Sequence, residues 1–105
     1  MKIFVTDYDG KVHELEALEG WRVMEVIRDW GQDIKAECGG ACACATCEVY
    51  VDEDWVSKLI PASKEEENML DLVPNVEANS RLSCQILMSE ELDGLKVTLA
   101  PNSKT

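Results

Sequence analysis

Four of the five cysteines in this 105-residue chain fall within ten positions, Cys38, Cys42, Cys44 and Cys47 in the stretch ECGGACACATCE, and Cys84 stands far downstream. Thiols at that density cross-link one another, work as a redox dithiol, or bind a metal. An extracellular disulfide framework is opposed by the odd count and by an N-terminus, MKIFVTDYDG, without the long apolar core of a secretory signal. Cys44-Ala-Thr-Cys47 has the spacing of a redox dithiol, but a strand-like run follows it instead of a helix, and three thiols are left without a role. Structural zinc needs four ligands, usually two paired knuckles or a Cys pair with a His pair. Here there is one knuckle, and the only histidine, His13, sits alone on a predicted strand as a surface residue. Cys38, Cys44, Cys47 and Cys84 could still hold zinc in an interaction module. An iron–sulfur cluster fits best. A rhombic 2Fe-2S centre takes two thiolates per iron, Gly39-Gly40 permits close approach of backbone to the sulfides, and Ala41, Ala43, Ala45 and Thr46 are small enough to wrap it.

The rest of the chain must hold that loop. KIFVTDY and KVHELEA read as a hairpin turning at Asp9-Gly10, followed by an amphipathic helix over 21–30 with Val23, Met24, Ile27 and Trp30 on one side and Gly31 at its C-terminal end. Beyond the loop, Glu48 to Asp52 predicts a short strand. DEDWVSKLI predicts a helix, with Trp55 over Leu59 and Val56 over Ile60, stopped at Pro61. SKEEENMLDLVP carries the clearest local signal: Ser63 and Glu66 at capping-box spacing, three acids in the first turn, Met69, Leu70 and Val73 on the buried side, and Pro74 beyond. Strands are expected at Arg81 to Ile86 and Leu95 to Leu99, with a turn at Asp93-Gly94 between them. The order indicates one α+β domain over 1–105, a helix crossing a small mixed sheet.

Composition narrows the partners. Ten basic residues against 21 acidic ones give a formal net charge of −11, which opposes binding to nucleic acid and to anionic membrane surfaces. A basic protein partner is the complement. No run of 18 apolar residues predicts a membrane span. The expected protein is a monomer in the cytoplasm, or in the mitochondrial matrix if a presequence has been removed.

The spacing C-x5-C-x2-C-x36-C, taken over Cys38, Cys44, Cys47 and Cys84, resembles the vertebrate-type 2Fe-2S ferredoxins, the group of adrenodoxin and putidaredoxin; plant-type ferredoxins have four residues in the first gap. GWRVMEVIRDWG, ECGGACACATCEVYV, EEENMLDLV, NSRLSCQI and ELDGLKVTLAP look like the same family, most of all its bacterial members that serve cytochrome P-450 systems. The resemblance implies a β-grasp fold and one 2Fe-2S cluster held by Cys38, Cys44, Cys47 and Cys84. Cys42 is then a small buried filler. It also implies a one-electron carrier, not an enzyme, between an NAD(P)H-dependent flavoprotein reductase and a cytochrome P-450; supply of electrons to iron–sulfur cluster assembly is the alternative.

Charge and family pattern meet in 52–77, which holds eight acids and two lysines. In the resembled family an acidic helix at this place docks on basic patches of the partners, which by position points to Glu65, Glu66, Glu67 and Asp71; the competing reading is a solvated helix face. Two departures stand out. Glu48 occupies the place after the third ligand where many members carry histidine, and an ionised carboxylate there would lower the potential. The tail, NSKT, has no terminal aromatic residue.

Overall fold

The computed structural model describes residues 1–34, 46–73 and 76–104. Among the described residues its framework is a five-stranded mixed sheet in the order β2 (Val12–Glu16), β1 (Lys2–Thr6), β5 (Leu95–Leu99), β3 (Glu48–Val51), β4 (Ser80–Leu82). β1 (Lys2–Thr6) and β2 (Val12–Glu16) form the expected antiparallel hairpin, with Val5 opposite His13. Gly10, at φ 85°, takes the left-handed position in the turn. Asp7 Oδ1 accepts the N–H groups of Asp9 and Lys11, each at 2.9 Å, so one carboxylate organises the whole turn.

β1 runs parallel to β5 (Leu95–Leu99) in the middle of the sheet, and β5 pairs antiparallel with β3 (Glu48–Val51). The starts of β1 and β5 are tied together: Lys2 N donates to Asp93 Oδ1 at 2.9 Å, and Gly94 N to the Lys2 carbonyl at 2.8 Å. Period-two alternation sends Ile3, Val5, Leu95, Val97 and Leu99 to one face, where all are buried. Across that face lies α1 (Val23–Asp29), burying Val23, Met24, Val26 and Ile27. Each such aliphatic side chain contributes roughly 1.5–3 kcal/mol when fully buried. Trp30, expected on the buried side, is instead 53% exposed. It is the C-cap residue of α1, and its indole N–H reaches the Glu16 carbonyl at 2.9 Å, so the ring lies along the hairpin.

Two expected elements are shorter in the fold. α2 is the single turn Glu53–Val56, capped by Asp52; Leu59 is buried, but Ile60 is 84% exposed. Beyond Val56 the chain tightens into i→i−3 turns, Lys58 N on the Trp55 carbonyl at 3.0 Å and Leu59 N on the Val56 carbonyl at 3.3 Å. The strand expected at 81–86 ends as β4 (Ser80–Leu82), antiparallel to β3, and continues as a 3-10 turn, Ser83–Gln85. The turn begins there because Ser83 bonds the Cys47 carbonyl with both its N–H, at 3.0 Å, and its hydroxyl, at 2.6 Å. α3 (Lys64–Leu70) begins at Ser63, whose Oγ accepts the Glu66 N–H at 3.2 Å. Leu70 and Val73 are buried as expected, Met69 is half-buried, and Pro74 lies outside the described residues.

Candidate metal centre

The β3–β4 ladder aligns Glu48 with Leu82, so Cys47 and Ser83 face each other just beyond its end. Cys47 and Cys84 are thereby brought to the same end of the sheet, each 1% exposed. Ser83 joins the two segments through its paired hydrogen bonds to the Cys47 carbonyl. The Cys84 sulfur accepts a hydrogen bond from Gln85 Nε2 at 3.4 Å. Two buried sulfurs at the junction of two bonded segments, one of them receiving an N–H, are a donor set suited to soft thiolate-bound iron. Cys38, Cys42 and Cys44 lie outside the described residues. His13, the one imidazole, is engaged elsewhere: its Nε2 lies 2.7 Å from Asp7 Oδ2, on the hairpin.

Glu48 begins β3 immediately after Cys47. Its side chain is 1% exposed, and Oε2 has no hydrogen-bond partner among the described residues. Burial pushes the carboxyl up, with a smaller upward contribution from the charge of Glu77; the hydrogen bond with Ser80 acts in the opposite direction. The lower potential expected from Glu48 assumed an ionised carboxylate, and this environment works against that form. Its backbone carbonyl accepts the Ser103 hydroxyl at 2.8 Å and the Ala100 N–H at 3.3 Å, tying the start of β3 to the segment after β5.

The acidic helix divides into two kinds of residue. Glu65, Glu67 and Asp71 are exposed, and Asp71 follows Glu67 by one turn, its N–H bonded to the Glu67 carbonyl at 3.0 Å. The exposed position expected of Glu66 is corrected, because its side chain is buried at 1% exposure. Its carboxylate accepts Arg81 Nε at 2.7 Å, Arg81 Nη2 at 3.1 Å and the Leu82 N–H at 2.9 Å. Arg81 Nη1 also donates to the Ile60 carbonyl at 2.9 Å. Glu66 is thus a bolt between α3 and β4, fastened at Arg81, three residues before Cys84. Arg81, Ser83 and Gln85 carry no motif that marks them in the sequence as functional. Their only signal is proximity to Cys84: the partners of Arg81 and Ser83 are distant in the chain, and a glutamine beside a cysteine is no motif by itself.

The model of the 2Fe-2S iron-sulfur cluster binding domain matches residues 6–89. Rhodocoxin of Rhodococcus erythropolis is 50% identical over 94 residues, 87% of either chain. The crystal structure of a reduced cysteine-to-serine variant of putidaredoxin from Pseudomonas putida superposes with a TM-score of 0.92 at 39% identity, covering 96% of this chain and 97% of that one. Putidaredoxin in a covalent complex with putidaredoxin reductase matches with a TM-score of 0.90 at 40% identity, over 94% and 97% of the two chains.

Proposed function

The chain belongs to the 2Fe-2S ferredoxins of the adrenodoxin and putidaredoxin type, and on that premise we propose that it carries single electrons from an NAD(P)H-dependent flavoprotein reductase to a cytochrome P-450 monooxygenase. It holds one 2Fe-2S cluster and is an electron-transfer protein, not an enzyme. When bound, the cluster supplies a one-electron couple shared between its irons and thiolates. In this reading Cys38, Cys44, Cys47 and Cys84 hold the irons, and Cys42 does not. The observation that carries the assignment is the burial of Cys47 and Cys84 at one end of the β3–β4 ladder, joined by Ser83.

The reductase partner is supported by the structural likeness to a putidaredoxin captured with its reductase. The P-450 acceptor is supported by the resemblance of the sequence to bacterial ferredoxins that serve such enzymes. Glu65, Glu67 and Asp71 would meet basic residues of both partners, bringing them to the carrier by charge. The reading makes the carrier a cytoplasmic monomer; no helix among the described residues is long and apolar enough to cross a membrane.

Reconstitution tests it. NAD(P)H, a flavoprotein ferredoxin reductase, this protein and a substrate-loaded cytochrome P-450 should together consume NAD(P)H with product formation, and omitting this protein should abolish turnover. A carrier that the reductase reduces, but that passes no electron to any P-450 offered while still reducing cytochrome c, would refute the acceptor.

A further inference from the structure

We propose that Gln85 is a positioning residue for the metal centre: its side-chain amide, donating to the Cys84 sulfur, sets the reduction potential. The inference rests on the functional reading above. Gln85 is exposed, yet its Nε2 lies 3.4 Å from the sulfur of Cys84, a residue 1% exposed. The backbone beneath it is fixed. Ser83 is bonded twice to the Cys47 carbonyl, and Ile86 N closes the turn on the Ser83 carbonyl at 3.3 Å. Chemistry also fixes which end of the amide faces inward, since a thiolate only accepts and the amide nitrogen only donates. Reduction adds negative charge that the ligand sulfurs share, so an N–H donated to one of them binds more strongly after the electron arrives. The hydrogen bond therefore favours the reduced state and raises the potential.

Because Gln85 sits on the surface, it can be changed without opening a cavity in the core. Gln85→Met keeps a side chain of similar length and removes the donor. Leu87→Ser, at an exposed neighbouring position, serves as the control for a general change of surface polarity. The test is spectroelectrochemical titration of the loaded wild-type protein and both variants, with iron content, thermal melting and the visible sulfur-to-iron charge-transfer bands recorded for each. Gln85→Met is expected to move the midpoint to a more negative potential and the bands to longer wavelength, with iron content and melting unchanged. Leu87→Ser is expected to titrate with the wild type. A midpoint unchanged in Gln85→Met, or one moved equally by Leu87→Ser, overturns the proposal. A wild-type protein that takes up no cluster overturns the functional reading, and this proposal with it.

Discussion

Arg81 spends its guanidinium on two targets, the Glu66 carboxylate through Nε and Nη2 and the Ile60 carbonyl through Nη1. Replacing it with alanine would leave a 1%-exposed carboxylate with the Leu82 N–H as its one hydrogen bond among the described residues. Breaking such a pair from one side costs about 3–5 kcal/mol, so Arg81→Ala should lower the denaturation midpoint well beyond the scatter of surface variants. A second carboxylate predicts a pH dependence. The hydrogen bond from His13 holds the Asp7 carboxyl below its ordinary range, helped by the Lys11 N–H. A depressed folded-state value contributes stability above the unfolded-state value and loses it as pH falls through the folded-state one. Asp7→Asn should therefore melt below the wild type at neutral pH, and the gap should close on acidification. At the cysteines, Cys84→Ser should impair retention of the cluster and Cys42→Ser should leave the visible spectrum intact; iron content and absorbance read both. Residue-scale chemistry was unevenly legible in the sequence. Cysteine spacing carries the candidate ligand set because ligands recur in a fixed local pattern. The burial of Glu66 was hidden, because its partner Arg81 lies 15 positions away and three adjacent glutamates look alike along a helix.

At the scale of elements, the legible ones carry their own punctuation. Asp9-Gly10 marks the hairpin, Ser63 caps α3, and Asp93-Gly94 precedes a β5 whose bounds, Leu95–Leu99, are those expected. β4 is shorter than its local propensity suggests because a tertiary bond takes over, Ser83 turning onto Cys47, and α2 is shorter because the chain after Val56 tightens into i→i−3 turns. α3 shows how one short helix can serve two surfaces. Its inward side fastens to β4 through Glu66, while Glu65, Glu67 and Asp71 remain on the outside. The pair Glu67→Gln and Asp71→Asn should slow reduction by the flavoprotein reductase at low ionic strength and leave the melting temperature within a degree or two, on the order expected for surface changes. The difference should shrink as salt is added, since exposed charges are screened over a Debye length of about 10 Å at 0.1 M. An unchanged rate at low salt would return these residues to a solvated face.

For the whole molecule, the parallel β1–β5 pair anchors the sheet's centre while the β3–β4 ladder carries Cys47 and Cys84 to one end. Around this frame the net charge of −11 gives a field suited to a basic docking partner. The fold was readable because its α+β order follows from the succession of turns, strands and helices. The pairing of distant strands was not, because register between β3 and β4 depends on contacts that no local pattern encodes. The claim on which the rest depends is that this chain carries one electron on a 2Fe-2S cluster. Its most direct test is quantitative reduction of the purified protein, with iron, sulfide and zinc assayed on the same sample and the reduced form examined by electron paramagnetic resonance. The protein should be red-brown, with iron and acid-labile sulfide in equal amounts, bleached by one electron per chain, with a reduced-cluster signal of axial or rhombic shape. A colourless protein holding one zinc ion per chain, silent after dithionite, would contradict it.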